Sequence, residues 1–256
     1  MNPPRKARYA TTVLRVEHLT ARMRRVVFGG AALAGFNWNG PAAHIKLILG
    51  AASAEPDARA LSRTYTPRRF DVQRLELTVD FVLHGEGPAS TWAAQAEPGQ
   101  PMLIAGPGRC YALDPQAPWL LVAGDESALP AVATILEALP DSVPAQVLLE
   151  VNDAADEYAI ATPRANVTLR WLHRAQAVGH GSAARAGIEL AAAVVAWERP
   201  TGDGRVYVAC EADAMRGIRR HLLMERGLPR EWVTTRGYWK QGATDHPDRD
   251  YGEDVG

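Results

Sequence analysis

The sequence predicts two domains, an N-terminal six-stranded antiparallel β-barrel followed by a parallel α/β domain. Its 256 residues are enough for two domains with sizeable cores. Short strand-like segments separated by turn residues fill the first part, as is typical of a small barrel. Apolar runs then alternate with helix-like segments, as in a parallel sheet covered by helices. We expect the domains at residues 1–114 and 115–242, followed by a mobile polar tail at 243–256.

The barrel prediction rests on periodicity and on turn residues. Residues 75–83 alternate apolar and polar side chains, which is the pattern of a half-buried antiparallel strand. A turn rich in Gly and Pro follows, and residues 89–94 are then predicted to form a short capping helix. The other predicted strands are residues 13–16, 24–28, 45–49, 63–68 and 102–105.

The α/β prediction begins with residues 119–123, a continuous apolar run typical of a strand that helices bury on both faces. Ligands of such sheets bind beyond the C-terminal ends of the strands, so residues 124–127 and 210–211 are candidate ligand contacts. Further strands are predicted at 147–151, 169–172 and 206–209, and helices at 129–139, 188–197 and 212–225.

Composition and charge exclude several function classes. The formal net charge of −1 provides no global attraction to nucleic acid or to an anionic membrane, so an anionic ligand needs a local basic cluster. The two cysteines, Cys110 and Cys210, have no nearby Cys or His partners, which fits a reducing cytoplasm and provides no metal ligand set. No apolar run approaches the roughly 20 residues that span a bilayer. We therefore expect a cytoplasmic protein without nucleic-acid binding, membrane insertion or a resident metal.

Several nucleotide and hydrolase motifs are missing. Residues 179–184 fit the spacing G-x-G-x-x-A, but they follow a charged segment rather than a strand and are predicted to form a loop. The sequence contains no P-loop, no H-E-x-x-H and no G-x-S-x-G. Phosphoryl transfer, zinc-dependent proteolysis and α/β-hydrolase chemistry therefore lack support.

The stretch 63–68, Arg-Thr-Tyr-Thr-Pro-Arg, is a candidate cofactor grip. A flavin that carries phosphate needs a fixed guanidinium, a flat aromatic face and a hydroxyl group near the reactive ring nitrogens. On an extended strand, Arg63 and Tyr65 would share one face, and Thr66 would lie on the other. The alternative is an ordinary edge strand with solvated arginines and a half-buried Tyr65.

Two further features have both a functional and a structural interpretation. The helix predicted after the glycines at 85 and 87 would present free N–H groups to a diphosphate, or Ser90 would simply cap a structural helix. Lys46 stands alone among apolar neighbours, where it either faces a ligand or reaches from a strand edge to water.

The order and spacing of six motifs resemble the siderophore-interacting proteins, which are flavin-dependent ferric-siderophore reductases of the ferredoxin-reductase superfamily. The resemblance covers nearly the whole chain and implies a barrel that binds FAD, followed by a domain that binds NADH or NADPH. The motifs are residues 63–68, 80–85 (DFVLHG), 87–92 (GPASTW), 106–107 (GP), 124–130 (GDESALP) and 237–242 (GYWKQG).

This resemblance also implies roles for individual residues in binding the flavin. Arg63 would hold the FAD diphosphate, Tyr65 would stack on the isoalloxazine, and Thr66 would lie near its reactive edge. Arg68 would also belong to the cofactor-binding residues. Tyr238 or Trp239 would cover the second flavin face. The adenosine diphosphate grip would be completed by His84, Gly87, Ala89, Ser90 and Thr91.

The resemblance places nicotinamide contacts at Gly124, Asp125, Glu126, Ser127 and Glu211. The family often has Ala-Gly-Glu where this chain has Ala209-Cys210-Glu211. A cysteine there adds a side chain where a cofactor or backbone needs room, which puts nicotinamide binding in doubt.

The family's basic triad for an anionic ferric siderophore falls on Lys46, Arg109 and Lys240. The sequence therefore predicts a cytoplasmic, FAD-dependent reductase that passes electrons from NADH or NADPH to Fe(III) in a siderophore. One alternative is a flavoreductase that serves a protein partner such as a ferredoxin, and reduced ferredoxin is also a possible electron source. Another is a non-catalytic siderophore or flavin carrier. The sequence does not distinguish NADH from NADPH.

Overall fold

The computed structural model describes residues 7–50, 61–84, 87–160, 164–174, 185–243, 246 and 251. The chain divides into two compact units, one comprising Met1–Ala112 with Ala133–Ile135 and the other Leu113–Val132 with Leu136–Gly256. None of the helices in the described ranges is long and apolar enough to cross a membrane. The predicted loop at 179–184 and most of the predicted tail lie outside these residues.

The first unit contains one antiparallel sheet of seven strands among its described residues, in the order β4-β3-β7-β1-β2-β6-β5. A short helix, α1 (Pro88–Ala94), lies between β6 and β7 in the chain. The strands are β1 (Arg8–His18), β2 (Met23–Gly29), β3 (Ile45–Leu49), β4 (Leu61–Tyr65), β5 (Pro67–Asp71), β6 (Glu76–Val82) and β7 (Pro101–Ala105).

The two edge strands of this sheet, β4 and β5, are consecutive in the chain, with only Thr66 between them. In a flat sheet, the edges of seven strands lie six strand spacings, roughly 30 Å, apart, whereas the two Cα–Cα steps from Tyr65 to Pro67 span at most about 7.6 Å. The sheet must therefore curl, which confirms the predicted barrel architecture. Its inner side chains, among them Phe28, Leu47 and Phe81, are fully buried.

The predicted count of six strands is wrong because the stretch 63–68 is not one strand. Pro67 has no N–H to donate to a ladder and is tolerated at the start of a strand. The chain accordingly breaks at Thr66, so that β4 pairs with β3 whereas β5 pairs with β6.

The second unit contains a sheet whose five described strands, in the order β10-β9-β8-β11-β12, are all parallel, as predicted. The sequence prediction missed β12, although Val, Thr, Tyr and Trp side chains favour a strand there. The elements are β8 (Leu120–Asp125), α2 (Leu129–Ala138), β9 (Ala145–Val151), β10 (Val167–His173), α3 (Ile188–Val195), β11 (Arg205–Glu211), α4 (Ala212–Arg220) and β12 (Val233–Trp239).

Chain order reverses between β8 and β11, the first and fourth strands of this sheet. In open parallel sheets, ligands bind beyond the C-terminal ends of the strands at such a reversal. The carboxyl ends of β8 and β11 are therefore the expected position of a ligand site in this unit.

Of the predicted tail, the structure describes Ala243, His246 and Tyr251. The Tyr251 carbonyl accepts a hydrogen bond of 2.6 Å from the hydroxyl of Thr235 on β12. Its ring centroid lies 4.4 Å from the guanidinium carbon of Arg236. The mobility of the rest of the tail stays a prediction.

Candidate functional site

Arg63 and Tyr65 lie on the inner face of the barrel sheet. Arg63 is directly opposite Leu47, and Tyr65 is opposite Ile45, both of which are fully buried in the barrel core. Directly opposed residues in antiparallel strands project from the same face. The Tyr65 ring is half-buried, with its centroid 4.5 Å from that of Phe81. Burial raises the pKa of the Tyr65 phenol, although the charge of Arg63 opposes this, so the ring is uncharged at neutral pH.

The turn between the two edge strands carries the other residues of this stretch. Thr66 is buried, whereas Arg68 on β5 is half-buried. Arg63 donates a hydrogen bond of 2.9 Å from Nη1 to the Ser62 carbonyl, which restrains its guanidinium at the β4 edge. Arg63 and Arg68 thus belong to the two edge strands that Thr66 joins.

His84, Gly87 and Ser90 come together at the start of α1. The N-cap is Gly87, with φ of 93°, a backbone conformation that favours glycine. The Ser90 hydroxyl instead accepts a hydrogen bond of 3.1 Å from the His84 N–H, so the alternative of Ser90 as N-cap is wrong. The His84 ring covers Gly87, because a Cβ at position 87 would lie 3.2 Å from Cε1. Ala89 is buried and Thr91 is exposed, while Gly85 and Glu86 lie outside the described residues.

Lys46 and the loop that carries Arg109 belong to the same region of the first unit. Lys46 lies opposite Ala105 and Thr64 in the sheet, on the face away from Arg63. The carbonyl of the exposed Arg109 is 3.1 Å from Nδ1 of His44, which precedes β3. The sequence prediction overlooked His44, which anchors this loop beside the strand of Lys46.

Asp125, at the end of β8, links three strands of the second unit. It is fully buried, and its Oδ2 accepts hydrogen bonds of 2.8 Å from the Glu211 N–H and from the Trp239 indole N–H. Its Oδ1 accepts from the N–H and the hydroxyl of Ser127. Burial and the charge of Glu126 raise the pKa of Asp125 to about 7, although these donors favour the ionised form. The Asp125 carboxylate therefore links the carboxyl ends of β8, β11 and β12.

Gly124 allows close packing at the carboxyl ends of β8 and β11. A Cβ at this position would lie 2.8 Å from the Ala128 Cβ and 3.0 Å from the Ala209 carbonyl oxygen. Any larger residue would push β8 away from β11 or from the turn that begins α2.

Glu211 caps α4. Its Oε2 accepts from the N–H groups of Asp213 and Ala214 at 2.8 and 2.9 Å, and its Oε1 accepts from Gln241 N–H at 3.1 Å. Because helix N-termini leave N–H groups without partners, a buried carboxylate here stabilises the helix. Glu211 is only 3% exposed, so its bonds are internal to the protein.

Cys210, the departure from the family pattern, points into the hydrophobic core of the second unit. It is fully buried, and burial raises the pKa of its thiol, as do the charges of Asp125, Glu150 and Glu211. The side chain therefore adds volume to the core.

Sequence reasoning also missed a buried ion network around Arg174. This arginine pairs with Glu126 at 2.7 Å and with the fully buried Glu150 at 3.1 Å. Glu150 further accepts from the N–H groups of Gly187 and Leu190, at 2.7 and 2.9 Å. No sequence signal identified these partners, because they lie at or just beyond the ends of separate strands and at the start of α3.

The last strand ends in two aromatic residues, and a lysine follows it. The hydroxyl groups of Tyr238 and Tyr207 are 3.0 Å apart, and Trp239 is held by Asp125. Lys240 follows, with Nζ at 3.1 Å from Oδ1 of Asp213. Both aromatic rings are half-buried, so they are held in place while part of each remains accessible.

The barrel residues fit the flavin cofactor that the sequence implies. The two strands that Thr66 joins carry two arginines and a neutral aromatic ring, which are the donor types and the flat face that a flavin dinucleotide needs. Among the described residues, no group of three or more His, Cys, Asp or Glu side chains is arranged to hold a metal ion.

Comparisons with known proteins match both units. The family model described as siderophore-interacting protein matches residues 117–242, and the siderophore-interacting FAD-binding domain matches residues 12–57 and 50–111. A ferric vibriobactin reductase of Vibrio cholerae is 31% identical, over 91% of this chain and 89% of its own. An NADPH-dependent ferric-chelate reductase of Escherichia coli is 32% identical, over 89% and 91%. The solved siderophore utilization protein from T. fusca is 34% identical with a TM-score of 0.81, over 94% of this chain and 96% of its own.

Proposed function

The chain belongs to the siderophore-interacting protein family, and from this we propose that it is an FAD-dependent reductase that transfers electrons from NADH or NADPH to the Fe(III) of a ferric siderophore. The product is Fe(II), released for iron assimilation. The observation that carries the proposal is the pair Arg63 and Tyr65 on one face of β4, within the segment that matches the FAD-binding domain.

In this proposal the barrel holds the flavin. Arg63 and Arg68 bind its diphosphate, since guanidinium groups form charge-assisted, bidentate bonds to phosphate oxygens. Tyr65 stacks on the ring system, and the Thr66 backbone and hydroxyl orient its reactive edge. His84 and the turn 87–91 bind the adenosine part. When bound, FAD supplies the chemistry of accepting two electrons as a hydride and releasing them one at a time.

The second unit binds the nicotinamide donor in this proposal. Because Asp125 and Glu211 are buried and accept internal hydrogen bonds, they fix the backbone of 124–127 and of the α4 start rather than contacting the donor directly. Asp125 also orients the Trp239 ring through its indole N–H. Trp239 or Tyr238 then covers the second face of the flavin and keeps water from it.

Lys46, Arg109 and Lys240 bind the anionic ferric siderophore. Cationic side chains attract such a complex, and charge-assisted hydrogen bonds orient it. The hard oxygen donors of a siderophore hold Fe(III) far more tightly than Fe(II), so one-electron reduction frees the metal.

We also propose a cytoplasmic location. Cys110 and Cys210 are both free thiols, and a reducing compartment such as the cytoplasm keeps thiols in this form.

The test is anaerobic turnover of the purified, FAD-loaded protein with NADH or NADPH, with Fe(II) trapped by a coloured chelator. We expect nucleotide oxidation and Fe(II) formation with the ferric siderophore. The gallium(III) complex of the same siderophore has nearly the same shape and charge but cannot be reduced, and it should support neither. Turnover with an oxidised ferredoxin but not with any ferric siderophore would reject the proposal in favour of a flavoreductase.

A further inference from the structure

The loop that follows β7 carries Arg109 and is fastened to the segment that precedes β3. The Gly108 N–H donates to the His44 carbonyl at 2.6 Å, and the Tyr111 N–H donates to the Pro41 carbonyl at 2.8 Å. All of these residues lie in the first unit. The backbone is therefore held on both sides of Arg109, whose side chain is exposed.

The His44 ring makes a contact with Arg109 itself. Its Nδ1 lies 3.1 Å from the Arg109 carbonyl oxygen. Because a carbonyl oxygen only accepts hydrogen bonds, Nδ1 must carry the hydrogen and donate it. An imidazole side chain has only two torsions, so fixing it costs little conformational entropy. His44 therefore restrains the position from which the Arg109 side chain leaves the loop.

Gly108 leaves the space that the His44 ring occupies. A Cβ at position 108 would lie 1.9 Å from Nε2 and 2.2 Å from Cε1 of this ring. The backbone of Gly108 does not have the positive φ that favours glycine. The conformation at position 108 therefore does not require glycine, whereas the position of the His44 ring does.

Lys46 lies two residues beyond His44, on β3. Two extended residues advance the chain by about 7 Å. Lys46 also lies opposite Ala105, the last residue of β7, in the sheet. The loop of Arg109 begins directly after Ala105. His44 thus joins the backbone that carries Lys46 to the backbone that carries Arg109.

We propose that His44 is a positioning residue for the ferric siderophore: by holding the Arg109 loop against β3, it presents Lys46 and Arg109 to the anionic complex as a fixed pair. The inference rests on the proposed function, because it takes both cations as siderophore contacts. Groups that are already in place lose less conformational freedom when a ligand binds, so their charge-assisted hydrogen bonds contribute more to affinity. His44 acts through Arg109 and does not itself contact the siderophore.

The test measures the binding of gallium(III) complexes, which cannot be reduced, to the FAD-loaded protein by isothermal titration. The complex of a hexadentate tris-catecholate is strongly anionic, whereas that of a tris-hydroxamate is not. His44→Phe keeps a ring but loses the donor, and it should weaken binding of the tris-catecholate complex about tenfold. FAD affinity should not change, and binding of the tris-hydroxamate complex should change less. His44→Asn keeps an N–H near the position of Nδ1 and should restore most of the affinity.

Three further variants separate positioning from a general effect on the fold. Gly108→Ala should match His44→Phe, because its Cβ displaces the ring. His18→Phe, at an exposed histidine on β1, is the matched control and should bind like the original protein. In an Arg109→Gln background, His44→Phe should cause no further loss, because a positioning residue has no effect once the group that it positions is gone.

The coupling between positions 44 and 109 decides the inference. Unchanged affinity in His44→Phe, or the same loss with and without the Arg109 side chain, would overturn it. A parallel loss of FAD affinity would also overturn it, because that would show a general disturbance of the barrel. If the original protein does not bind the tris-catecholate complex, the inference fails, whereas Fe(II) formation from any ferric siderophore judges the proposed function separately.

Discussion

The two units of this protein use the polar side chains of their candidate sites in opposite ways. In the barrel, Arg63, Tyr65 and Lys46 are all half-buried, so each keeps part of its surface available to a ligand. In the α/β unit, Asp125 and Glu211 are buried and accept hydrogen bonds from the protein itself. A motif residue can therefore mark a binding contact in one unit and an internal support in the other.

The difference follows from the two kinds of sheet. An antiparallel strand alternates its side chains between the two faces of its sheet, so Arg63 and Tyr65 on the edge strand β4 project together from one face. The end of a parallel strand leads into a helix whose first N–H groups have no partner within the helix. Carboxylates at that position are used as caps, as Glu211 shows for α4.

The largest expected effect is on stability, in the second unit. Glu150 is fully buried and accepts from Arg174 and from two backbone N–H groups. Glu150→Leu should lower the free energy of unfolding by about 3–5 kcal/mol, because it leaves Arg174 and both N–H groups without this acceptor. Glu150→Gln keeps one acceptor oxygen and should lose less. Urea denaturation measures both.

The control for the Glu150 variants is Glu157→Gln, because Glu157 also forms an ion pair, with His173, but its side chain is 33% exposed. It should change the free energy of unfolding by no more than about 1 kcal/mol. Equal losses at positions 150 and 157 would show that burial does not separate supports from surface pairs in this unit.

The second-largest expected effect is on the affinity of the barrel for FAD. Arg63→Ala should weaken FAD binding about 100-fold, the loss of a bidentate charge-assisted pair, with little change in stability. Quenching of flavin fluorescence on titration measures the affinity. Arg69→Ala, an exposed arginine on β5, is the matched control and should bind FAD normally. Similar affinities in the two variants would remove Arg63 from the flavin site.

The buried carboxyl group of Asp125 should make the stability of the folded protein depend on pH. Its pKa of about 7 in the folded protein exceeds the ordinary value of 3.8. Between these values the folded protein keeps a proton that the unfolded chain has released, so stability falls as pH rises through this window and levels off above it. We expect a loss of about 2 kcal/mol between pH 5 and 7. Asp125→Asn cannot titrate and should lack this slope in urea denaturation; an identical slope would contradict the assignment.

The smallest expected effect concerns Lys240. Lys240→Ala should raise KM for the ferric siderophore about tenfold, with the loss of one charged contact, and should change stability by less than about 1 kcal/mol because the Asp213 pair is exposed. Lys240→Arg keeps the charge and should restore most of the affinity. If Lys240→Arg is as weak as Lys240→Ala, charge is not what this position contributes.

Much of the fold could be predicted from the sequence, because its signals are local. The alternation in 75–83, broken only at Val82, predicted β6, and the continuous apolar run at 119–123 predicted the buried β8. The strand count was wrong because a break at a single residue, Thr66, does not alter periodicity. The strand β12 was missed because its β-branched and aromatic residues are interrupted by Arg236 and Gly237.

The internal bonds of the candidate site could not be predicted, because they join residues that are distant in the chain. Asp125 and Trp239 are 114 positions apart, and Arg174 and Glu126 are 48 apart. Only the strand order brings them together. The side-chain direction of Cys210 depends likewise on the register of β11, which places it in the core.

The measurement that tests the central claim most directly is the visible spectrum of the freshly purified protein under anaerobic conditions. We predict a flavin spectrum that bleaches on addition of NADH or NADPH and recovers when a ferric siderophore is added, while Fe(II) appears. A colourless protein that also fails to take up added FAD would contradict the assignment of residues 63–68, and with it the function built on them.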